Sequence, residues 1–178
     1  DGIVMNYQPI YSTTGRGFHS AEALVRLKDN DTIGFISPEE FIPIAEKKGL
    51  IVDLSMMIFE KVCRFIRDGK LKEKGIEYVE INLSAVHCMD SRLVEQLTGL
   101  LNKYELKPEQ LNLEITETTA LSVDKSVSSN LNRLIQMGCG FSMDDYGTGY
   151  SNLVQIADLT FDLAKIDKSL VWGYFAED

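Results

Sequence analysis

Three short segments of alternating polarity recur along this chain at nearly constant spacing, and that recurrence restricts the fold more than any other feature. In Tyr78–Ser84 (YVEINLS), Val79, Ile81 and Leu83 point one way and Glu80, Asn82 and Ser84 the other. In Leu111–Glu117 (LNLEITE), Leu111, Leu113 and Ile115 oppose Asn112, Glu114 and Thr116, and in Gly140–Asp145 (GFSMDD), Phe141 and Met143 oppose Ser142 and Asp144. A period of two marks β-strands. The equivalent polar positions Asn82, Glu114 and Asp144 lie 32 and 30 residues apart, the repeat of a βα unit in a parallel sheet.

The intervening segments read as helices. Asp90 caps a helix with an apolar stripe of Leu93, Leu97, Leu100, Leu101 and Tyr104, and a second helix runs from about Val123 to Met137 and stops at Gly138. Upstream, Ser37-Pro38-Glu39-Glu40 is a capping box with Pro in the first turn, followed by Phe41, Ile44 and Ala45 at helical spacing. A further helix spans roughly Val52–Arg67 and is closed by Gly69. The chain begins with two β-rich runs, Ile3–Tyr11 and Phe18–Leu27, joined by Ser12–Gly17 (STTGRG), a connection short enough for an antiparallel hairpin. The last strand is Leu163–Lys168 (LAKIDK), and Ser151 caps a helical stretch before it.

Two architectures fit this order, an open doubly wound sheet and a (β/α) barrel. Central strands of an open sheet are covered on both faces and read apolar throughout. Here each strand has one apolar and one polar face, which suits a barrel with helices outside and polar groups inside. The expected fold is therefore α/β, a TIM-like (β/α) barrel with an antiparallel first strand. Six strands are legible where such a barrel has eight, and the chain is shorter than the usual lower end of about 200 residues. The expectation is one incomplete domain over residues 1–178, with about two βα units missing beyond Asp178. The start at Asp1-Gly2-Ile3, without Met or a signal-peptide pattern, reads as a domain edge.

The inward polar residues come from five strands: Glu22, Asn82, Glu114, Asp144 with its neighbour Asp145, and Lys165. In a barrel they converge on one mouth. Several carboxylates in one pocket repel one another, and a hard cation relieves that cost. Oxygen ligands without His or Cys favour Mg²⁺ or Mn²⁺, and the adjacent aspartates suit a pair of ions. Glu80 and Asp162 are read instead as solvated surface carboxylates. The net charge of −9 argues against binding a DNA or RNA polymer, so positive charge for an anionic ligand has to come from the metals. Cys63, Cys88 and Cys139 form no CxxC pair and read as reduced core thiols of a cytoplasmic protein, and no apolar run reaches the length of a membrane span.

The same residues carry a resemblance. Glu22-Ala23-Leu24 within EALVRL, with YQPI before it, SPEEFIPIAE from Ser37, INLS from Ile81, LEITET from Leu113, DDYGTGYSNL from Asp144 and KIDKS from Lys165 resemble, in order and spacing, the EAL family of bacterial cyclic di-GMP phosphodiesterases. The resemblance implies a barrel of EAL type and metal ligands at Glu22, Asn82, Glu114, Asp144 and Asp145, for two Mg²⁺ or Mn²⁺ ions. It implies a catalytic centre at Glu22, Asp144 and Lys165, the last near the attacking water, and ligand contacts at Gln8, Arg26 and Asp167. Glu117 would steady a mobile loop containing Gly147 and Gly149, which couples the site to a homodimer. The implied reaction is hydrolysis of cyclic di-GMP to the linear dinucleotide pGpG, in a cytoplasmic domain of a larger signalling protein that can itself be membrane-anchored.

Leu27, Tyr146, Asn152 and Leu170 are conservative departures from the family pattern and leave the ligand set intact. The family's seventh and eighth strands, with a further active-site glutamate and a ligand contact, have no counterpart here. Two other readings stay open: a module that binds cyclic di-GMP or a protein partner without hydrolysing it, and an inactive fragment.

Overall fold

The computed structural model describes residues 2–28, 34–120, 124–147 and 160–175. Six strands form one sheet in sequence order: β1 (Ile3–Ser12), β2 (Gly17–Leu27), β3 (Tyr78–Asn82), β4 (Leu111–Thr116), β5 (Gly140–Tyr146) and β6 (Leu163–Ile166). β1 and β2 pair antiparallel with Gln8 opposite Glu22, and every later pair is parallel. The helices are α1 (Pro38–Lys47), α2 (Ile51–Gly69), α3 (Ala85–Cys88), α4 (Leu93–Lys103), α5 (Glu117–Ala120), α6 (Lys125–Met137) and α7 (Lys168–Phe175). The arrangement is an incomplete TIM-like barrel with an antiparallel first strand. Among the described residues no helix is long and apolar enough to cross a membrane.

Alternation decides where the core sits. The outward side chains Val79, Ile81, Leu111, Leu113, Ile115 and Phe141 are buried against Phe59, Val62, Leu97, Leu101, Leu131 and Leu134 of α2, α4 and α6. The inward face is polar and also largely buried, with Glu80, Asn112, Glu114 and Ser142. Barrel interiors are usually packed with branched aliphatic residues. Here Ser142 Oγ donates to Asn112 Oδ1 at 2.7 Å, a polar floor beneath the carboxylates. The three cysteines are free and buried, and burial pushes each thiol up to about 12.

Local signals set the boundaries. The α1 capping box is present, with Glu39 N donating to Ser37 Oγ at 3.3 Å and Ser37 N to Glu40 Oε2 at 3.2 Å. α6 begins at Lys125, capped by Asp124, whose Oδ1 accepts from Ser126 N. The expected start at Val123 and the stretch capped by Ser151 lie outside the described residues. The fourth strand ends at Thr116, because Glu117 opens α5, and the sixth ends at Ile166, because Lys168 opens α7. Sequence reading missed the one-turn helices α3 and α5, which are too short to show a 3.6-residue period.

Candidate active site

Glu22 (β2), Glu80 (β3) and Glu114 (β4) meet inside the barrel, each offering a carboxylate oxygen within 4.8 Å of the others. The parallel register brings them there: Glu22 stands beside Glu80, and Glu114 beside Asn82, one inward position further along β3. Asn82 Nδ2 donates to Glu22 Oε1 at 3.2 Å. From β6, the Lys165 ammonium reaches into the group. It donates to Glu22 Oε2 at 3.0 Å and to Glu114 Oε1, and it lies 3.1 Å from Glu80 Oε2, an ion pair without hydrogen-bond alignment.

Glu80 corrects an expectation. The sequence predicts a solvated carboxylate there, yet Glu80 is 0% exposed. Its parity is that of Asn82, so the alternation carries the signal, although lone glutamates are mostly surface-exposed. Asp162 is exposed as expected, and its Oδ2 accepts from Phe141 N.

Burial and charge act against each other here. Burial pushes the Glu114 carboxyl up to about 7 against the lowering effect of Lys165, and it likewise raises Glu80. Burial disfavours the Lys165 ammonium, but the hydrogen bond to Glu114 and the charges around it outweigh this and raise its pKa. Glu80 Oε1 and Glu114 Oε2 are buried without a hydrogen-bond partner among the described residues. Orphaned buried carboxylate oxygens are costly unless a cation meets them, so the donor set fits a hard divalent ion.

Asp144 is half-buried and Asp145 exposed at the end of β5, outside the tight carboxylate group. The β5–β6 register slips between Met143 and Tyr146, and Asp145 takes φ 56°. Such an irregularity re-aims adjacent side chains, which strict strand alternation would send to opposite faces. Partial desolvation, then the charges of Asp144 and Asp167, raise the Asp145 pKa. Glu117 is buried, and its Oε2 accepts from Gly147 N at 3.0 Å. Gly147 has φ 95°, and a Cβ there would collide with Leu170 Cδ1. Gly149 lies outside the described residues.

A cavity of about 530 Å³ opens beside the carboxylates, within the size range of small-molecule sites. Glu22, Asn82 and Glu114 form its polar end, and Leu24, Ile42, Leu54 and Ile58 its apolar wall. Arg26 borders it, with Nη1 donating to Val25 O at 2.8 Å. Gln8 is exposed on β1 and is not among the residues lining the cavity. The Asp167 carboxylate caps α7: its Oδ1 accepts from Ser169 N at 2.8 Å and from Ser169 Oγ, which lowers its pKa. The structure therefore does not gather all the expected ligand contacts at the cavity.

Residues 1–177 match the family model of the EAL domain. The chain belongs to the EAL domain family. It is 37% identical over 169 residues to the probable cyclic di-GMP phosphodiesterase PdeG of Escherichia coli, covering 95% of this chain and 33% of that protein. It is 35% identical over 172 residues to the bifunctional diguanylate cyclase/cyclic di-GMP phosphodiesterase MucR of Pseudomonas aeruginosa, covering 95% of this chain and 24% of that protein. The EAL fold superposes on the PaMucR phosphodiesterase solved as a c-di-GMP complex with a TM-score of 0.89 and 33% identity, over 99% of this chain and 71% of that one. The chain thus spans about a third or less of the length of these curated relatives. The EAL triplet itself is Glu22-Ala23-Leu24 on β2; all three residues border the cavity, and Ala23 is also part of the buried core.

Proposed function

We propose that this EAL domain hydrolyses cyclic di-GMP to the linear dinucleotide pGpG with Mg²⁺ or Mn²⁺, as part of a larger signalling protein. The observation that carries the reading is the convergence of Glu22, Glu114 and Lys165 from three distant strands, with unmet carboxylate oxygens beside an open cavity. The names of its relatives supply the substrate class.

In this reading Glu22, Asn82, Glu114, Asp144 and Asp145 would hold the ions, which would supply Lewis-acid polarisation of a phosphodiester and an acidified water. The remaining work falls to the chain's own groups. Lys165 is held protonated by the carboxylates around it, so Nζ acts as a hydrogen-bond donor to the phosphate or to the nucleophilic water, and not as a base. The apolar wall at Leu24, Ile42 and Ile58 takes a nucleobase and excludes water from one side of the reacting phosphate. Arg26 presents its remaining N–H groups to a phosphate oxygen or to the acceptor edge of guanine. Gln8 contacts the ligand from the β1 side, and Asp167 does so through the oxygen that does not cap α7. Glu117 fixes the start of the glycine loop through Gly147, and that loop links the site to a homodimer interface.

Incubation with cyclic di-GMP and Mn²⁺, followed by chromatography, is expected to yield pGpG. Asp144→Asn is expected to abolish turnover with an unchanged circular dichroism spectrum; an unaltered rate would overturn the metal assignment. A second reading, a module that binds cyclic di-GMP without cleaving it, is favoured by the Lys165 ammonium already paired with three carboxylates. Calorimetry showing tight binding with no product would select it.

A further inference from the structure

The geometry points to Glu80 as a ligand of the divalent cation: the pocket walled by Glu22, Glu80 and Glu114, where the Lys165 ammonium now sits, is a cation site that the ammonium and a divalent ion occupy in turn. The inference rests on the metal-dependent reading of the site and adds a residue and a mechanism of exchange to it.

Three observations carry it. Glu80 is fully buried on the inward face of β3, and among the described residues its Oε1 has no hydrogen-bond partner. Glu114 Oε2, of the same carboxylate group, is likewise buried and unmet among the described residues. A buried carboxylate is stable only when paired, so two buried oxygens without a hydrogen-bond partner in one carboxylate group favour a further positive charge there. Finally, the pocket already holds a cation, because Lys165 Nζ contacts all three carboxylates. The Glu80 oxygen 3.1 Å away is therefore already paired with a positive charge, as it would be with a metal.

Charge explains why exchange is possible. When all three carboxylates are ionised, one ammonium leaves a net charge of −2, and a divalent ion in its place leaves −1. A monovalent ammonium therefore undercompensates the pocket. Lys165 is 24% exposed at its side chain, on a flexible four-carbon stem, and can withdraw toward the mouth when the ion enters. Withdrawal would bring the ammonium to the rim of the cavity, where the phosphate is proposed to bind.

The test is calorimetric titration with Mn²⁺ alone, without nucleotide, on the wild type, Glu80→Gln and Lys165→Met. Glu80→Gln keeps the shape and removes the charge. It is expected to weaken Mn²⁺ binding by at least about 10-fold, the lower end of what is lost when even an outer partner of a metal site is removed. Lys165→Met is expected to bind Mn²⁺ more tightly than the wild type, to melt lower without metal, and to gain more in Tm when Mn²⁺ is added. Wild-type affinity in Glu80→Gln overturns the assignment while leaving the metal-dependent reading standing. No Mn²⁺ binding by the wild type overturns both. Should Glu80→Gln not fold, Lys165→Met decides alone: affinity no tighter than wild type means that the ammonium and the ion do not share the pocket.

Discussion

At the scale of single residues, polar groups in this molecule are held by few partners and are correspondingly sensitive to loss. Asn130 is buried, and its Nδ2 donates to Cys88 O at 2.8 Å and Asp90 O at 2.9 Å, tying α6 to the segment between α3 and α4. Asn130→Ala removes the donor while both carbonyls stay in place. The expected cost is about 1–3 kcal/mol, read as a lower urea midpoint with an unchanged slope. Asp90 supplies a pH signature. Hydrogen bonds from the Arg92 side chain and backbone N–H hold its carboxyl down at about 2. A folded-state pKa below the unfolded value stabilises the protein above the unfolded pKa, near 4. That contribution is lost as pH falls from about 4 to about 2. Denaturation of the wild type and Asp90→Asn across this window is expected to show a gap between them that closes toward pH 2. A constant gap would refute the assignment.

At the scale of elements, the sequence signals differ in how much they determine. The α1 capping box was legible because it is local: side chains three residues apart satisfy backbone N–H groups of the same turn. α1 contains no fully buried residue, so its cap carries an unusual share of its stability. Ser37→Ala is expected to cost about 1 kcal/mol and to speed amide exchange in α1, whose Pro38 and Ile42 line the cavity. The loop after β5 is more demanding. Gly147→Ala meets a positive φ and the Leu170 side chain together, so Leu170 or the backbone must shift. It is expected to destabilise by about 1 kcal/mol or more, visible as faster proteolysis between β5 and α7. The bulge at Asp144–Asp145 was not legible, since a local register shift depends on what β6 presents to β5.

At the scale of the whole molecule, apolar surface is distributed unevenly. β1–β5 have a continuous core on their outer face, while Ile166, Leu170, Trp172, Tyr174 and Phe175 of β6 and α7 are exposed. Trp172 is the chain's single tryptophan, 66% exposed, and so reports on that edge alone. In this chain its emission is expected to be red-shifted and readily quenched by acrylamide. In a longer chain carrying two further βα units, it is expected to shift to the blue and resist quenching as the barrel continues past β6. A solvent-exposed Trp172 in that longer chain would count against an eight-stranded barrel in which α7 packs beneath the next unit.

The chain alone determined its strands, its long helices and the parity of its polar residues, because alternation, caps and helical stripes act over a few neighbouring residues. It also carried the motifs that place it in the EAL family. Which inward carboxylates share a pocket was decided only in three dimensions. The register of β2 against β3 sets Glu80 beside Glu22, and β6 delivers Lys165 from 143 residues beyond Glu22. Proximity across a sheet is set by strand pairing and barrel curvature, and neither leaves a periodic trace within one strand. Glu80 therefore reads in the sequence like any other alternating polar residue, while in the fold it stands fully buried against a cation.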